Sequence, residues 1–557
     1  MIVARHWAAA LFAVTLLAPS LAAQDKDKGK DKGKGGKPDS AACVLDFDKP
    51  SELKDAQSQI TISQLGKGDA QKNALKKAIE KLSRRPDYYA PNQNAMNFLL
   101  GQALILWSNQ PGEPESVRRG DIGFLGEKDQ QINLLKAADS VFSIVEKGQP
   151  ACAEQTSIYR RSAWARYINR VGPLINADKL DSATAVLEQS KVIFRDSPYT
   201  FYFEGQITYR KDEYAKAAEA FTMAASKGAA ELANDSTFAG MTEYSTFFAA
   251  YSLSRAAATQ SGADQAASFK KVAAQYSTYL KSFHCGSWAE NASTGLFDAL
   301  RSASDTAGMR VAFETMAKEQ RPCSDVWWYN GARDASEVEL NDLAIQLADK
   351  AVAYSPWSAA LGNAGGAYWK AKAWLKLEPI AQRMTQVAPN SPDNWQMLAL
   401  AYQGLNESAT TPAAKKAYSD SLVSAYNAGE KISVKVRIVS FTGDGAKKTI
   451  GGTLELVDNT PTPMQQTKPK AGKGGKPAKP APAPPPQPAA PKLQPKSVTL
   501  KLEFLDRAGK VLNVKDSTGT AVPAISQTFT VKSDEKTDFK FTVTDSKIVG
   551  FRYAPIP

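Results

Sequence analysis

Hydrophobic positions recur along this chain with two different periods. From about Pro50 to Glu430 the sequence is Ala-rich, and its apolar residues return every three to four positions, which is the spacing of one buried stripe on an α-helix. From Lys431 onward the period becomes two. Ile432, Val434, Val436 and Ile438 alternate with Ser433, Lys435 and Arg437, and Val498, Leu500, Leu502 and Phe504 alternate with Thr499, Lys501 and Glu503. Phe539, Phe541 and Val543, then Val549, Phe551 and Tyr553, supply two further inward faces, so a β domain is expected over 431–557. Two stretches fit neither period. Residues 24–49 open with a Lys/Gly/Asp tether, Gln24–Ser40, and Thr460–Lys496 is rich in Pro, Ala and Lys. Both contain Gly-Lys-Gly-Gly-Lys-Pro and are too polar to bury a core. The strand segment Ile432–Phe441 is too isolated to be stable alone. It is expected to join the strands beyond the insertion in one sandwich of immunoglobulin-like size.

Within the helical zone a 34-residue phase is kept between neighbours. Trp395, Leu398, Ala399 and Tyr402 stand one period after Leu361, Ala364, Gly365 and Tyr368, and that earlier unit closes with Pro389. Trp328, Ala332, Ala344, Ala348, Ala351 and Pro356 occupy corresponding places, as do Phe201, Gly205, Tyr214, Ala217, Phe221 and Ala224. Tyr167, Ala183, Leu187 and Ser190 come one period before those. The pattern resembles the tetratricopeptide repeat, in which small residues sit where two antiparallel helices approach and aromatics fill the adjoining hole. The resemblance implies a multidomain chain: an all-α solenoid of about eight or nine helix pairs over 50–430, then the all-β sandwich-like domain. The β region is faintly similar to small bacterial β-domains of the FxLYD kind.

The resemblance also implies a site. In such repeats the stripe beside the packing stripe of each first helix lines a concave groove that holds a peptide. Carried over, those positions are Tyr202, Gln206, Tyr209 and Arg210 in one unit, Tyr329 and Arg333 in another, Trp369 with Lys370, and Gln396 with Gln403. Gly362 and Gly366 share the face of Trp369 and leave room beside its ring. The competing reading is that some of these side chains pack inside an irregular superhelix. Six of the ten Trp lie between Trp327 and Trp395, which raises a sugar-stacking platform; against it, Trp328, Trp374 and Trp395 occupy packing positions of the repeat.

Charge narrows the partners. The formal net charge is +12, but the two polar stretches carry nearly all of it and leave the folded residues almost neutral. A basic folded patch is the footprint of a nucleic-acid binder, so no nucleic acid is expected. Met1–Ala23 reads as a secretory signal peptide, with Arg5 ahead of an apolar core at Ala8–Ala18 and cleavage near Ala22 or Ala23. No membrane span is expected in the mature protein, which is placed in the periplasm or outside the cell. Four cysteines in an oxidising compartment suggest two disulfides. Cys285 and Cys323 are about one repeat apart, which favours Cys285–Cys323 and leaves Cys43–Cys152.

Enzyme signals are poor, and no catalytic residue, cofactor or metal is expected. The two histidines are His6 in the leader and His284 beside Cys285. Ser268-x-x-Lys271 lacks the companion motifs of a serine acyltransferase site. The first expectation is therefore an exported, non-enzymatic scaffold that holds an extended segment of another envelope or secreted protein. Its exposed lysines would make salt-sensitive contacts with anionic cell-wall polymers. A carbohydrate or cell-wall binding protein and a hydrolase with an unrecognised site are the alternatives.

Overall fold

The computed structural model describes residues 42–457 and 493–557, apart from Arg85, Asn234, Gly445, Ser517 and Asp534. The expected signal peptide, the tether before Ala42 and most of the Pro-rich insertion lie outside them. The chain divides into two compact units, Met1–Ala299 and Leu300–Pro557. Eighteen α-helices form the solenoid-like part among the described residues, and antiparallel sheets follow.

The helices come in nine successive pairs. The first are α1 (Ser51–Leu65) with α2 (Asp69–Leu82), α3 (Gln93–Ser108) with α4 (Leu134–Gly148), and α5 (Ala153–Asn176) with α6 (Leu180–Ile193). Next are α7 (Pro198–Arg210) with α8 (Tyr214–Glu231), α9 (Ala239–Ala257) with α10 (Gly262–Ser282), and α11 (Ala289–Ser302) with α12 (Thr306–Lys318). The last three are α13 (Trp327–Glu337) with α14 (Asn341–Tyr354), α15 (Leu361–Lys370) with α16 (Trp374–Val387), and α17 (Pro392–Ser408) with α18 (Pro412–Glu430). A hairpin of β1 (Ser116–Arg118) and β2 (Gln131–Asn133) interrupts the second pair.

Small residues sit where the repeat pattern requires them. A Cβ added at Gly205 would come within 2.7 Å of the Phe221 ring, and one at Gly404 would enter the Trp374 indole. The turn inside a pair is equally regular. Asp178, Asp212, Ser304, Glu339 and Lys372 all adopt left-handed backbone, with φ of 57°, 60°, 53°, 60° and 56°. In each case the next residue's N–H donates back five residues: Lys179 to Leu174, Glu213 to Thr208, Asp305 to Leu300, Leu340 to Ala335, Ala373 to Tyr368. This is the Schellman closure, which satisfies carbonyls left open at a helix end.

In the first unit a disulfide joins Cys43 to Cys152 and fastens the segment before α1 to the start of α5. Cys285 and Cys323 are disulfide-bonded as well. Arg160, buried on α5, is an electrostatic hub: it donates to Asp139, to Glu146 at 3.0 Å and to the Ile193 carbonyl at 3.0 Å. Both carboxylates and the α6 terminus are thereby satisfied, as a buried guanidinium requires.

The β region of the second unit has two main antiparallel sheets. One orders β10 (Lys536–Thr544), β4 (Lys447–Leu456) and β3 (Val434–Asp444). The other places β5 (Lys496–Leu505) between β9 (Ala524–Val531) and β11 (Gly550–Tyr553), with β6 (Val511–Leu512) at the end of β5. The short strands β7 (Val514–Lys515) and β8 (Ala521–Val522) pair separately. Because β4 precedes the Pro-rich insertion and β10 follows it, the flanking segments share a sheet. They also share one core: Val434, Val436, Ile450 and Leu454 pack with Val498, Leu500, Leu502, Phe504, Phe539 and Phe541.

Candidate functional site

The second unit brings its last repeats and its β sheets together around a cleft of about 750 Å³. One wall comes from α13 and α15, through Asn330, Arg333, Gly362 and Asn363. The start of α17 adds Asp393 and Asn394, and the run from Lys435 to Phe441 on β3 faces them. Three features fix this geometry. Asn390, between α16 and α17, is buried; its carbonyl accepts from Val436 N–H at 2.9 Å and its amide donates to the Val434 carbonyl at 3.0 Å. Trp357 lies against Gly509, where any Cβ would strike the indole, and the Arg383 guanidinium covers its ring at 5.2 Å. Arg507 donates to Asp325 at 2.7 Å and stacks over Tyr354 at 4.2 Å, and these contacts raise its pKa.

From the cleft a trough continues along α15. A Cβ at Gly366 would meet nothing within 4 Å, and one at Gly362 would meet only the Met384 methyl at 3.8 Å. Trp369, 40% exposed, stands one turn beyond. The neighbouring first helices are stitched one repeat apart: the Asn363 amide donates to the Asn330 side chain at 3.2 Å.

The expected site residues separate into groups. Trp369, Lys370, Gln396, Gln403 and Arg333 are exposed on the last three repeats. Arg333 holds Asp334 at 2.7 Å, Gln403 donates to Glu407 at 2.9 Å, and Lys370 donates to the Ser336 carbonyl at 3.5 Å. Arg210 repeats that last arrangement in the first unit, donating to the Ile175 carbonyl at 2.9 Å. Both cations therefore sit at the carbonyl end of the preceding first helix, where the helix dipole favours positive charge.

Tyr329 departs from the expectation. It is fully buried, and its hydroxyl donates to the Ser355 carbonyl at 2.9 Å. The repeat phase placed it on the groove stripe, but the turn after α14 covers it, and it packs rather than binds. Tyr202 is drawn inward too. It meets Phe203 and Tyr244 at ring-centroid distances of 5.2 and 5.3 Å, and burial pushes its pKa up to about 12. Tyr209 lies among Tyr214, Phe248 and Tyr251. Gln206 is half-buried on the same helix. Sequence reasoning missed Asn330, Asn363 and the β3 wall. The two asparagines were 33 residues apart and readable in the repeat phase, whereas the wall depends on docking that no local pattern encodes.

The tryptophans are mostly structural. Trp327 donates to Glu319 at 2.8 Å, Trp328 to the Met316 carbonyl at 3.1 Å and Trp395 to the Pro389 carbonyl at 2.7 Å. Trp357 and Trp374 are packed against glycines, which leaves Trp369 as the exposed ring of the six. A stacking platform needs more than one such face. Cys285 is oxidised, so no thiol nucleophile stands beside His284.

No protein-family model matches this chain, and no curated protein matches it. Solved structures that match include a monomeric mutant of IFIT1 with m7Gppp-AAAA, at 11% identity over 68% of this chain and 80% of that one, with a TM-score of 0.24. The human IFIT1 dimer with m7Gppp-AAAA matches at 13% identity over 68% of this chain and 91% of that one, again at 0.24. A likeness of that size carries no argument about ligands. The expectation of no nucleic acid is corrected on its own ground: a near-neutral folded charge is too weak a basis for exclusion.

Proposed function

We propose that the protein is a non-enzymatic binding scaffold whose last repeats hold an extended peptide segment of another protein. The observation that carries this reading is the trough on α15. Gly362, Gly366 and the exposed Trp369 share one face of α15 that begins at the cleft, and Asn363 ties this helix to Asn330 on α13. Aromatic anchors flanked by satisfied polar groups are what binding surfaces use for affinity and orientation.

Export to the cell envelope, after cleavage near Ala22 or Ala23, belongs to the same proposal. Disulfides support it, since they persist in oxidising compartments. Among the described residues no helix is long and apolar enough to cross a membrane. Affinity capture from the envelope of the source cells tests the proposal, run beside a Gly366→Arg variant. A protein retained by the parent and lost by the folded variant supports it. Equal capture by both refutes the trough.

A further inference from the structure

The outer edge of β3 is the least explained feature of the cleft. β3 is last in its sheet, paired with β4 on its inner side. Val434 and Val436 turn their backbone groups outward, because it is Asn390 that bonds them. In an antiparallel ladder such groups alternate, so Ile438 presents the next outward N–H and C=O. There the register shifts: Ile438 pairs with Gly452 and Ser440 with Gly451, and Val439 has no partner in the register. The Val439 side chain is 70% exposed. Asn390 thus completes the first rung of an added strand, and the edge beyond it opens into the cleft.

We infer that this edge takes an extended, proline-poor segment of a partner protein as an added strand. Only an extended backbone matches outward groups at strand spacing. The lining charges are balanced, since Arg333 is held by Asp334, Arg437 lies 3.8 Å from Asp393 and Lys435 stands opposite Glu455, so the segment is close to neutral, with an apolar residue against Val439. The chain's own insertion does not qualify. Its prolines lack the N–H groups that the edge needs, and its seven lysines bring charge to a wall whose own charges are already paired. The inference rests on the binding-scaffold reading and names how the segment is held.

A random dodecapeptide library displayed on phage, selected on the full-length protein, is the probe. Selected peptides are remade with alternate backbone nitrogens methylated, which keeps the side chains and deletes the donors. Methylation should weaken binding about tenfold or more, the loss of two or so net hydrogen bonds, and Val439→Lys should weaken it about tenfold by replacing the apolar contact with a charge. Bound peptide should also slow amide exchange in Val434–Asp444. Unchanged affinity after both changes, unchanged exchange, or no selected peptide overturns the inference. So does a concentration-dependent dimer dissolved by Val439→Lys, which would assign the edge to a second copy. Weakening by Gly366→Arg but not by Val439→Lys sinks the edge and leaves the trough. Weakening by Val439→Lys alone does the reverse, and weakening by neither sinks both. Val439 is exposed, and an unchanged melting temperature confirms that the variant is folded.

Discussion

Asn390 and Ile556 bind each other reciprocally. The Ile556 N–H donates to Asn390 Oδ1 at 2.7 Å, and Asn390 Nδ2 donates back to the Ile556 carbonyl at 2.9 Å. One buried side chain, 166 residues away in sequence, ties the chain's end to the turn before α17 while also holding β3. Asn390→Ala would strand three buried backbone groups and is expected to destabilise the second unit by about 3 kcal/mol, measured by urea unfolding. Asn390→Asp should recover only part of this, because Oδ1 remains but the donor is lost.

The left-handed turn residues predict a gain. Lys372 holds φ at 56° with a Cβ that disfavours this region. Lys372→Gly removes that strain and loses some chain entropy, so it should stabilise by about 0.5–1 kcal/mol. A lower melting temperature would contradict the assignment.

Glycine in mid-helix normally costs stability, and Gly366 has nothing around it. Gly366→Arg should therefore raise helix stability by roughly 0.8 kcal/mol while blocking the trough. Unfolding midpoints and peptide affinity should move in opposite directions.

Reduction tests the first unit. Cys43 and Cys152 are 109 residues apart, and bridging them restricts a long loop of the unfolded chain. Replacing both with Ser should cost about 2–5 kcal/mol, with cleavage by chymotrypsin after Phe47 as the early sign.

Alkaline titration tests the aromatic cluster. Tyr202 stays neutral to about pH 12 in the folded protein, against 10.0 for an ordinary tyrosine. The folded state thus holds the proton more tightly. The stabilisation is complete below pH 10 and drains away as pH rises from 10 to 12. Tyr202→Phe should make thermal stability fall less steeply across that window.

The helical part was legible because each repeat must solve the same packing problem: Gly205 faces Phe221, and Gly365 faces Met384 and Leu377, where two helices approach. The turn geometry was not, since Asp178, Ser304 and Lys372 carry no glycine signal. β4 was hidden by Gly451 and Gly452, which break the alternation; at Gly452 a Cβ would meet the Phe539 ring within 2.9 Å. β9 was hidden because the polar Gln527 interrupts its inward face of Ile525, Phe529 and Val531. Of the site, Trp369 and its glycines were readable from one helix. The cleft was not, because it exists only once Asn390 meets Ile556.

Whether the α15 face carries a bound segment is read out by a photo-cross-linker placed on that face. Benzoylphenylalanine replaces Trp369, one exposed aromatic for another, in the full chain, with Leu375, 77% exposed on α16, as the control position. Cross-links are expected from position 369 to one extended segment of one partner, and none from position 375. Equal labelling from both positions, or none from 369, would contradict binding on that face.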